Sequence, residues 1–409
     1  MTLTRDRYDA VVIGAGPAGA VAARELARRG RAVLLVDKST FPRRKVCGCC
    51  LNGNALAALA SVGLGDLPAR LGAVPLHSLK LAAGGRVAEV PLAGVSLSRE
   101  AFDLALIEAA VAAGAEFVSG CKATMGSAEG GERVIRLNPS PLGGEGDQQI
   151  FVDFVLVADG LNGRTAATAD GFDVPATAAS RIGAGVVVND LASRPSDGAG
   201  SGVPASLLTR LAKSGRLADY HPGSIFMATG RGGYVGLVVL EDGRLDLAAA
   251  FDPGFVRDTG GLGEAAALTL SEAGFPAIPA LQSADWKGTP ALTRTPDRIA
   301  GERWLAIGDA CGYVEPFTGE GMAWAVGGAA AVSRLVADGW HPSLPAQWKR
   351  LHHRLIGRRQ RFCRLLAPAL RSRLVRRMMV SALRVVPVLA SPFVRGLNRP
   401  PALALESPR

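Results

Sequence analysis

Aromatic residues are scarce in this chain: Phe, Trp and Tyr make up 5% of its 409 residues. Proteins that read single-stranded nucleic acid stack bases on such rings, so the shortage argues against that class. Histidine is also rare, with five in all, and the six cysteines are expected to be thiols rather than a disulfide framework. The polar start, Met1 to Arg7, leaves no room for a charged region, an apolar stretch and a cleavage site, so no signal peptide is expected. Arg interrupts every apolar run in the tail, which keeps each below the roughly 18 residues that a spanning helix needs. Acid is missing from one region above all. Ala346 to Arg409 carry 15 Lys and Arg against the single Glu406, whereas the preceding 345 residues are net −4, although the whole chain is +10. A mildly acidic body with a basic C-terminal segment does not suit a nucleic-acid groove in the main fold, and no nucleic-acid partner is expected. At 48% hydrophobic and 20% charged, the chain is long enough for two or three structural units with a large core.

Tyr8 to Ile13 read as a buried strand, followed by Gly14-Ala15-Gly16-Pro17-Ala18-Gly19 and an alanine-rich helical run, Ala20 to Arg29. A second strand, Ala32 to Val36, ends at Asp37 and Lys38. This is the strand, glycine turn, helix, strand, acid order of a dinucleotide fold. Gly14 permits the tight turn, Gly16 lets backbone approach a pyrophosphate, and Gly19 lets helix and strand pack closely. Pro17 and Ala18 open a helix whose free N–H groups face the phosphates, and Asp37 is placed to bond the adenosine ribose. The turn alone does not separate FAD from NAD.

Two later motifs follow. An apolar strand, Phe151 to Val157, ends in Ala158-Asp159-Gly160; another, Trp304 to Ile307, ends in Gly308-Asp309-Ala310. Pro316, Gly319, Glu320 and Gly321 then lead into a small-residue helix, Met322 to Val336, while Arg99 opens a helix to Ala113. Taken alone, Asp309 reads equally well as a helix cap or as a carboxylate that a polyol approaches closely.

In this order the motifs resemble the FAD-dependent monooxygenase and reductase superfamily with the para-hydroxybenzoate hydroxylase fold, over roughly Tyr8 to Val336. The resemblance implies that Gly308 and Asp309 meet the ribityl chain of FAD. It puts the backbone of Gly319 to Gly321, with Met322 and the following helix, against the flavin pyrimidine. It also places Arg99 by the phosphate and ribityl region, and Asp159 and Gly160 where flavin and a nicotinamide donor approach. After Asp-Gly the chain reads Leu161, Asn162, Gly163, Arg164, where the family continues with Ser and a later Arg.

Between the second strand and a helix near Asn54 runs Phe41-Pro42-Arg43-Arg44-Lys45-Val46-Cys47-Gly48-Cys49-Cys50. Within the superfamily this run is most similar to the geranylgeranyl reductase family, which hydrogenates isoprenoid double bonds and in which the Cys matching Cys47 lies near the flavin. Cys47 and Gly48 are therefore the candidate catalytic positions. Basic neighbours lower the pKa of Cys47, and Gly48 exposes backbone. Cys47 and Cys50 also have C-x-x-C spacing, which leaves a redox dithiol open, but no second ligand pair follows and no metal centre is expected. Small sulfur side chains that merely pack remain an alternative for Cys49 and Cys50.

Thr177 to Pro290 hold alternating apolar segments, Gly183 to Val188, Ser224 to Ala228, Tyr234 to Leu240 and Leu245 to Ala250, which predict an antiparallel sheet. Pro139 to Asp147 and Ser193 to Gly202 read as loops. His221, between His77 and His341, is the one imidazole candidate there. The expected architecture is α/β, a Rossmann-type FAD-binding domain (1–176 and 291–345) with an inserted antiparallel-sheet substrate domain (177–290) and a basic C-terminal helical segment (346–409). In that segment Phe362, Leu365, Leu366, Ala369, Leu370, Leu374, Met378 and Met379 recur at helical spacing, with breaks expected at Pro368 and Pro387. Two readings stand: the helices pack on the body with Arg on a solvated face, or they rest on anionic lipid.

The expectation is a cytoplasmic FAD-dependent oxidoreductase, peripheral to the inner face of a membrane, that reduces carbon–carbon double bonds of an apolar isoprenoid or long-chain lipid. NAD(P)H or another reductant supplies the electrons. A monooxygenase hydroxylating a phenolic or quinol lipid, and a non-catalytic FAD-bound redox module at a membrane, are the alternatives.

Overall fold

The apolar run at the start of the chain becomes β1 (Arg7–Ile13), hydrogen-bonded in parallel to β2 (Val33–Asp37) on one side and β9 (Gln148–Val157) on the other. A computed structural model describes residues 3–139, 147–161, 163–188, 220–315 and 319–398. The expected loops 139–147 and 193–202, Asn162 and Pro316 fall wholly or mostly outside these residues. These strands are buried on both faces along most of their length, which is why their sequences are continuous apolar runs rather than alternating ones. β6 (Glu116–Ser119) lies beyond β2; β16 (Trp304–Ala306) and β15 (Ala300–Gly301) lie beyond β9. A hairpin of β7 (Lys122–Glu129) and β8 (Glu132–Asn138) joins this eight-stranded sheet through β9.

The helices Pro17–Ala27, Arg99–Ala112 and Gly321–Leu335 close the core. Alanines such as Ala20, Ala22, Ala329 and Ala330, all buried, let backbones come close, and Ser333 Oγ reaches the carbonyl of Ala22 at 3.5 Å. The chain leaves β1 toward β2 on one side while β9 arrives on the other. The strand order therefore reverses at the carboxyl end of β1, where open α/β sheets leave a ligand crevice.

A second eight-stranded sheet runs β14 (Lys287–Ala291), β10 (Ile182–Val188), β13 (Leu245–Phe251), β12 (Gly233–Val239), β11 (Ser224–Gly230), β4 (Val74–Ala83), β5 (Arg86–Ser96), β3 (Cys50–Asn52). The four strands expected between 177 and 290 are present and pair antiparallel as β10, β13, β12 and β11. The sheet does not stop at that insert. β3, β4 and β5 come from residues ahead of it, and β11 pairs β4 in parallel, with Ser78 and Ser224 sharing a hydroxyl hydrogen bond of 2.9 Å. Such pairing is non-local, so no window of sequence displays it.

The basic segment opens as part of the core. In the helix Leu344–His352, Trp348 is fully buried and its indole N–H donates to the Ala306 carbonyl at 2.8 Å. Pro368 lies inside the helix Arg358–Arg371, so the break expected there falls instead at Ser372, whose hydroxyl accepts from Val375 N–H and caps the helix Arg373–Val385. Pro387 does start a separate short turn, and the last element among the described residues is the helix Ser391–Leu397. That last helix is tied to the start of the helix Gly53–Ser61, because Asn398 Oδ1 accepts from Gly53 N–H at 3.1 Å and Asn54 Nδ2 donates to the Gly396 carbonyl.

Candidate active site

The carboxyl ends of β1, β9 and β16 open onto one cavity of about 350 Å3, whose wall draws on both sheets. Of the positions expected to meet a cofactor, Gly14, Gly16, Pro17, Ala18, Asp37, Arg99, Asp159, Gly160, Gly308, Asp309, Gly319, Gly321 and Met322 all lie in this wall, as do Cys47 and Gly48. Gly19 and Lys38 do not. Gly19 lies at the helix–strand contact, where a Cβ would come 1.8 Å from the Gly14 carbonyl oxygen. Lys38 is exposed, its charge felt by Asp159. His221 is outside the wall too, exposed and hydrogen-bonded to Lys80 at 2.8 Å.

Gly14 adopts φ +106°, and a Cβ on it would sit 2.3 Å from the Ala158 carbonyl oxygen, so this first position of the turn between β1 and its helix tolerates no side chain. Other glycines are different. A Cβ at Gly16 meets nothing closer than Arg99 Nη2 at 3.9 Å, and at Gly48 and Gly319 nothing within 4 Å. These wall positions are a cradle of bare backbone. Asp37 at the end of β2 braces the turn: Oδ2 accepts from Ala15 N–H and Oδ1 from Ser39 N–H, both at 2.8 Å, with the Arg43 guanidinium 3.5 Å away.

Charge is concentrated on the wall. Arg99 forms a buried bidentate pair with Asp103, Nε to Oδ1 and Nη2 to Oδ2, both 2.7 Å. Burial opposes the guanidinium charge, but Asp103 and then Cys47 outweigh it and Arg99 holds its proton more tightly than usual. Lys45 is held below the ordinary lysine value by burial first, then by Arg99 and Arg43, while Asp309 and Asp103 pull the other way. Burial raises Asp309, and Lys45 and Arg99 partly offset it. Burial raises Asp159 as well; its Oδ2 accepts from Thr165 N–H at 3.0 Å, and among the described residues its Oδ1 has no partner.

The cysteine run does not pair as C-x-x-C spacing suggests. Cys50 donates to the Gly48 carbonyl oxygen at 2.9 Å, and Cys47 hydrogen-bonds instead to Cys49, held at φ +50° and buried, and to Arg99. The bond from Cys49 lowers the Cys47 thiol to about 6 against the opposing effect of burial, with Arg99 adding to the lowering. The same bond, with burial and the charge of Asp246, pushes Cys49 well above the usual thiol value. Burial likewise raises Cys50. None of the six cysteines forms a disulfide.

Sequence reasoning missed three polar residues. Tyr234 and Tyr313 line the cavity, and burial raises both phenols well above their ordinary value, so each keeps its O–H at neutral pH. Behind them Arg181 pairs with Glu315 at 3.0 Å. Asp246 on β13 is the third; a lone acid in the apolar strand LDLAAAF was the signal that could have found it.

The wall suits a dinucleotide flavin. It offers bare backbone at Gly16, an acid at the end of the second strand, Arg99 and Lys45 for negative charge, and two helix N-termini, at Pro17 and Gly321, that no side chain caps. Such a fold and site are those of an FAD-binding domain in the para-hydroxybenzoate hydroxylase fold. The sequence agrees: residues 7–197 match the FAD binding domain family. The chain is 35% identical over 162 residues to a menaquinone reductase of Mycobacterium tuberculosis, covering 38% of each chain. It is 32% identical over 165 residues to digeranylgeranylglycerophospholipid reductase 2 of Methanopyrus kandleri, covering 40% of each. These matches thus span about two fifths of the curated relatives. Among solved structures, p-nitrophenol 4-monooxygenase of Pseudomonas putida superposes with a TM-score of 0.74 at 14% identity, over 96% of this chain and 99% of that one. A flavin-dependent brominase gives 0.71 at 16% identity, over 96% and 93%. At such identities the likeness is one of fold.

Proposed function

We propose that the protein uses FAD to reduce a carbon–carbon double bond of an apolar lipid, isoprenoid or long-chain, with NAD(P)H or another reductant supplying the electrons. The observation that carries this reading is the two-part wall of a single cavity. The charged cradle of Gly16, Arg99, Lys45 and Asp309 is continuous with an apolar surface from the second sheet, including Leu76, Leu79, Leu92, Ile225, Met227 and Leu237. A cofactor with phosphates fits the first part and a hydrocarbon the second. The names of the relatives, menaquinone reductase and digeranylgeranylglycerophospholipid reductase, favour reduction over oxygenation.

When bound, FAD supplies hydride chemistry. The chain's task is then to hold the substrate, exclude water and bring a proton to the second carbon of the double bond. Leu79, Met227 and their neighbours hold the hydrocarbon. Cys47 is the titratable thiol in the wall, beside Arg99, and we assign it to the proton. Turnover without oxygen is the test. Product formation from an isoprenoid lipid under anaerobic conditions is expected, and a strict requirement for oxygen would point to hydroxylation of a phenolic or quinol lipid instead. An FAD-loaded protein that no reductant reduces would be a redox module rather than an enzyme.

The substrate class fits the outer surface. Among the described residues, seven of the nine exposed large hydrophobics fall between Leu374 and Leu389. Leu374, Met378 and Val385 share one face of the helix Arg373–Val385, with Leu374 68% and Val385 79% exposed. Val380, fully buried, packs the opposite face on Leu81, Ala83 and Ala88. Arg373 and Arg384 are exposed on the same helix. No single helix among the described residues is long and apolar enough to cross a membrane, so we assign this stripe to peripheral contact with anionic lipid. Replacing Leu374, Met378 and Val385 with Ser in the full chain is expected to lower partition onto anionic vesicles by about tenfold or more. Equal flotation of variant and parent would reduce the stripe to a solvated face.

A further inference from the structure

Cys47 poses a chemical problem for a proton donor. Held at about 6, it is mostly thiolate at neutral pH and has no proton of its own to give. The residues behind it supply an answer. Asp246 is 4% exposed, and its register on β13 fixes where it points. Alternate residues of a strand share a face, and Ala248 and Ala250, on the face of Asp246, lie in the cavity wall. Their partners across β12, Gly236 and Tyr234, lie there too, as does Val238 directly opposite Asp246. Asp246 is thus the acid on the cavity face of the β12–β13 pair, covered by the cysteine loop. Cys49 packs on Val238 and hydrogen-bonds to both Cys47 and Asp246. Among the described residues, Asp246 Oδ2 has no hydrogen-bond partner.

We propose that Asp246 is a proton reservoir for Cys47, with Cys49 as the relay between them. The inference rests on the reductive reading of the site. An isolated buried carboxylate with an unsatisfied oxygen is costly, whereas a neutral carboxyl is not. Burial first, then Cys47 and Glu100, raise Asp246, and together they outweigh Cys49 and Arg244, which lower it. Cys50 also faces it from the cysteine loop. In the step, the Asp246 O–H bond breaks as Cys49 Sγ takes the proton, and the Cys49 S–H bond breaks as the Cys47 thiolate takes the next. The result is two thiols and one carboxylate, with no change in oxidation state. Cys47 then gives its proton to the substrate carbon and returns to thiolate. Asp246 is reloaded with one proton from solvent at the end near Glu100 and Arg244, an ion pair 3.4 Å apart with both side chains partly exposed.

Three measurements on the full-length flavoprotein test this. In infrared spectra at neutral pH, a protonated-carboxyl band is expected in the parent, absent in Asp246→Asn and shifted in Cys49→Ser. The rate of iodoacetamide alkylation of Cys47 against pH is expected to show its apparent pKa raised by about one unit or more in Cys49→Ala. Turnover at saturating substrate is expected to fall by about tenfold or more in Asp246→Asn, with flavin content and Cys47 alkylation at neutral pH retained. A parent spectrum without a band that Asp246→Asn removes overturns the reservoir. An unmoved Cys47 titration in Cys49→Ala overturns the relay, and parental turnover in Asp246→Asn overturns its use. If no double-bond substrate is reduced by the parent, the reductive reading fails by itself, and the spectra and alkylation still decide whether the chain of protons exists.

Discussion

Replacing Asp309 with Ala is expected to strip the protein of FAD. The carboxylate stands at the end of β16, in a turn that runs Gly308–Cys311, and lies within electrostatic reach of Lys45 and Arg99 in the same cavity wall. Its removal has two consequences. A charge-assisted hydrogen bond from a polyol hydroxyl is lost, worth about 1.5–3 kcal/mol, or roughly 10- to 150-fold in affinity. Lys45 also loses the acid that most favours its charged form, so the desolvated ammonium gives up its proton more readily and the cradle holds phosphate less well. The measurement is flavin absorbance relative to protein after gel filtration, beside Asp309→Asn, which keeps a polar group of the same size. Full flavin content in the Ala variant would show that Asp309 serves only the turn.

Cys47→Ala is expected to leave flavin content intact and to lower turnover by about 100-fold or more, the usual contribution of a positioned proton donor. Cys47 is one of several groups on the wall, and the bare backbone at Gly16 and Gly319 does not depend on it, so binding and chemistry should separate. Alkylation gives a second reading of the same residue. Because the thiol is depressed to about 6, its reactivity in the parent should be on a plateau at neutral pH and decline as pH falls through about 6. The plateau would begin at higher pH if the bond from Cys49 were missing. Turnover equal to the parent's in Cys47→Ala would return the residue to packing.

The glycine turn shows how much a local pattern can carry. Gly14, Gly19 and Asp37 were legible because each answers to a neighbour close in sequence: Gly19 must clear the Gly14 carbonyl, and Asp37 accepts from Ala15 N–H. Gly14 also clears the Ala158 carbonyl, a contact the sequence did not announce, yet the need for glycine was visible without it. Arg99, Asp309 and Gly319 were placed by motif order. Lys38 shows the limit, since adjacency to Asp37 says nothing about which way a strand end turns its next side chain.

What the sequence by itself determined is the cofactor-binding half: an apolar strand, a glycine turn and a helix with free amides are short-range necessities of holding a pyrophosphate. It also determined that the excess positive charge lies in the tail. Tertiary structure alone decided the rest. It paired β4 with β11, so that Leu76, Leu79 and Met227 share one apolar wall, and it joined Cys47 to Cys49 rather than to Cys50. It set Asp246 behind that pair, and it buried Trp348 while leaving Leu374 and Val385 in solvent. The physical reason is common to all of these. Which face of a strand or helix is covered depends on partners distant in the chain, and a titratable group acquires its chemistry from what covers it.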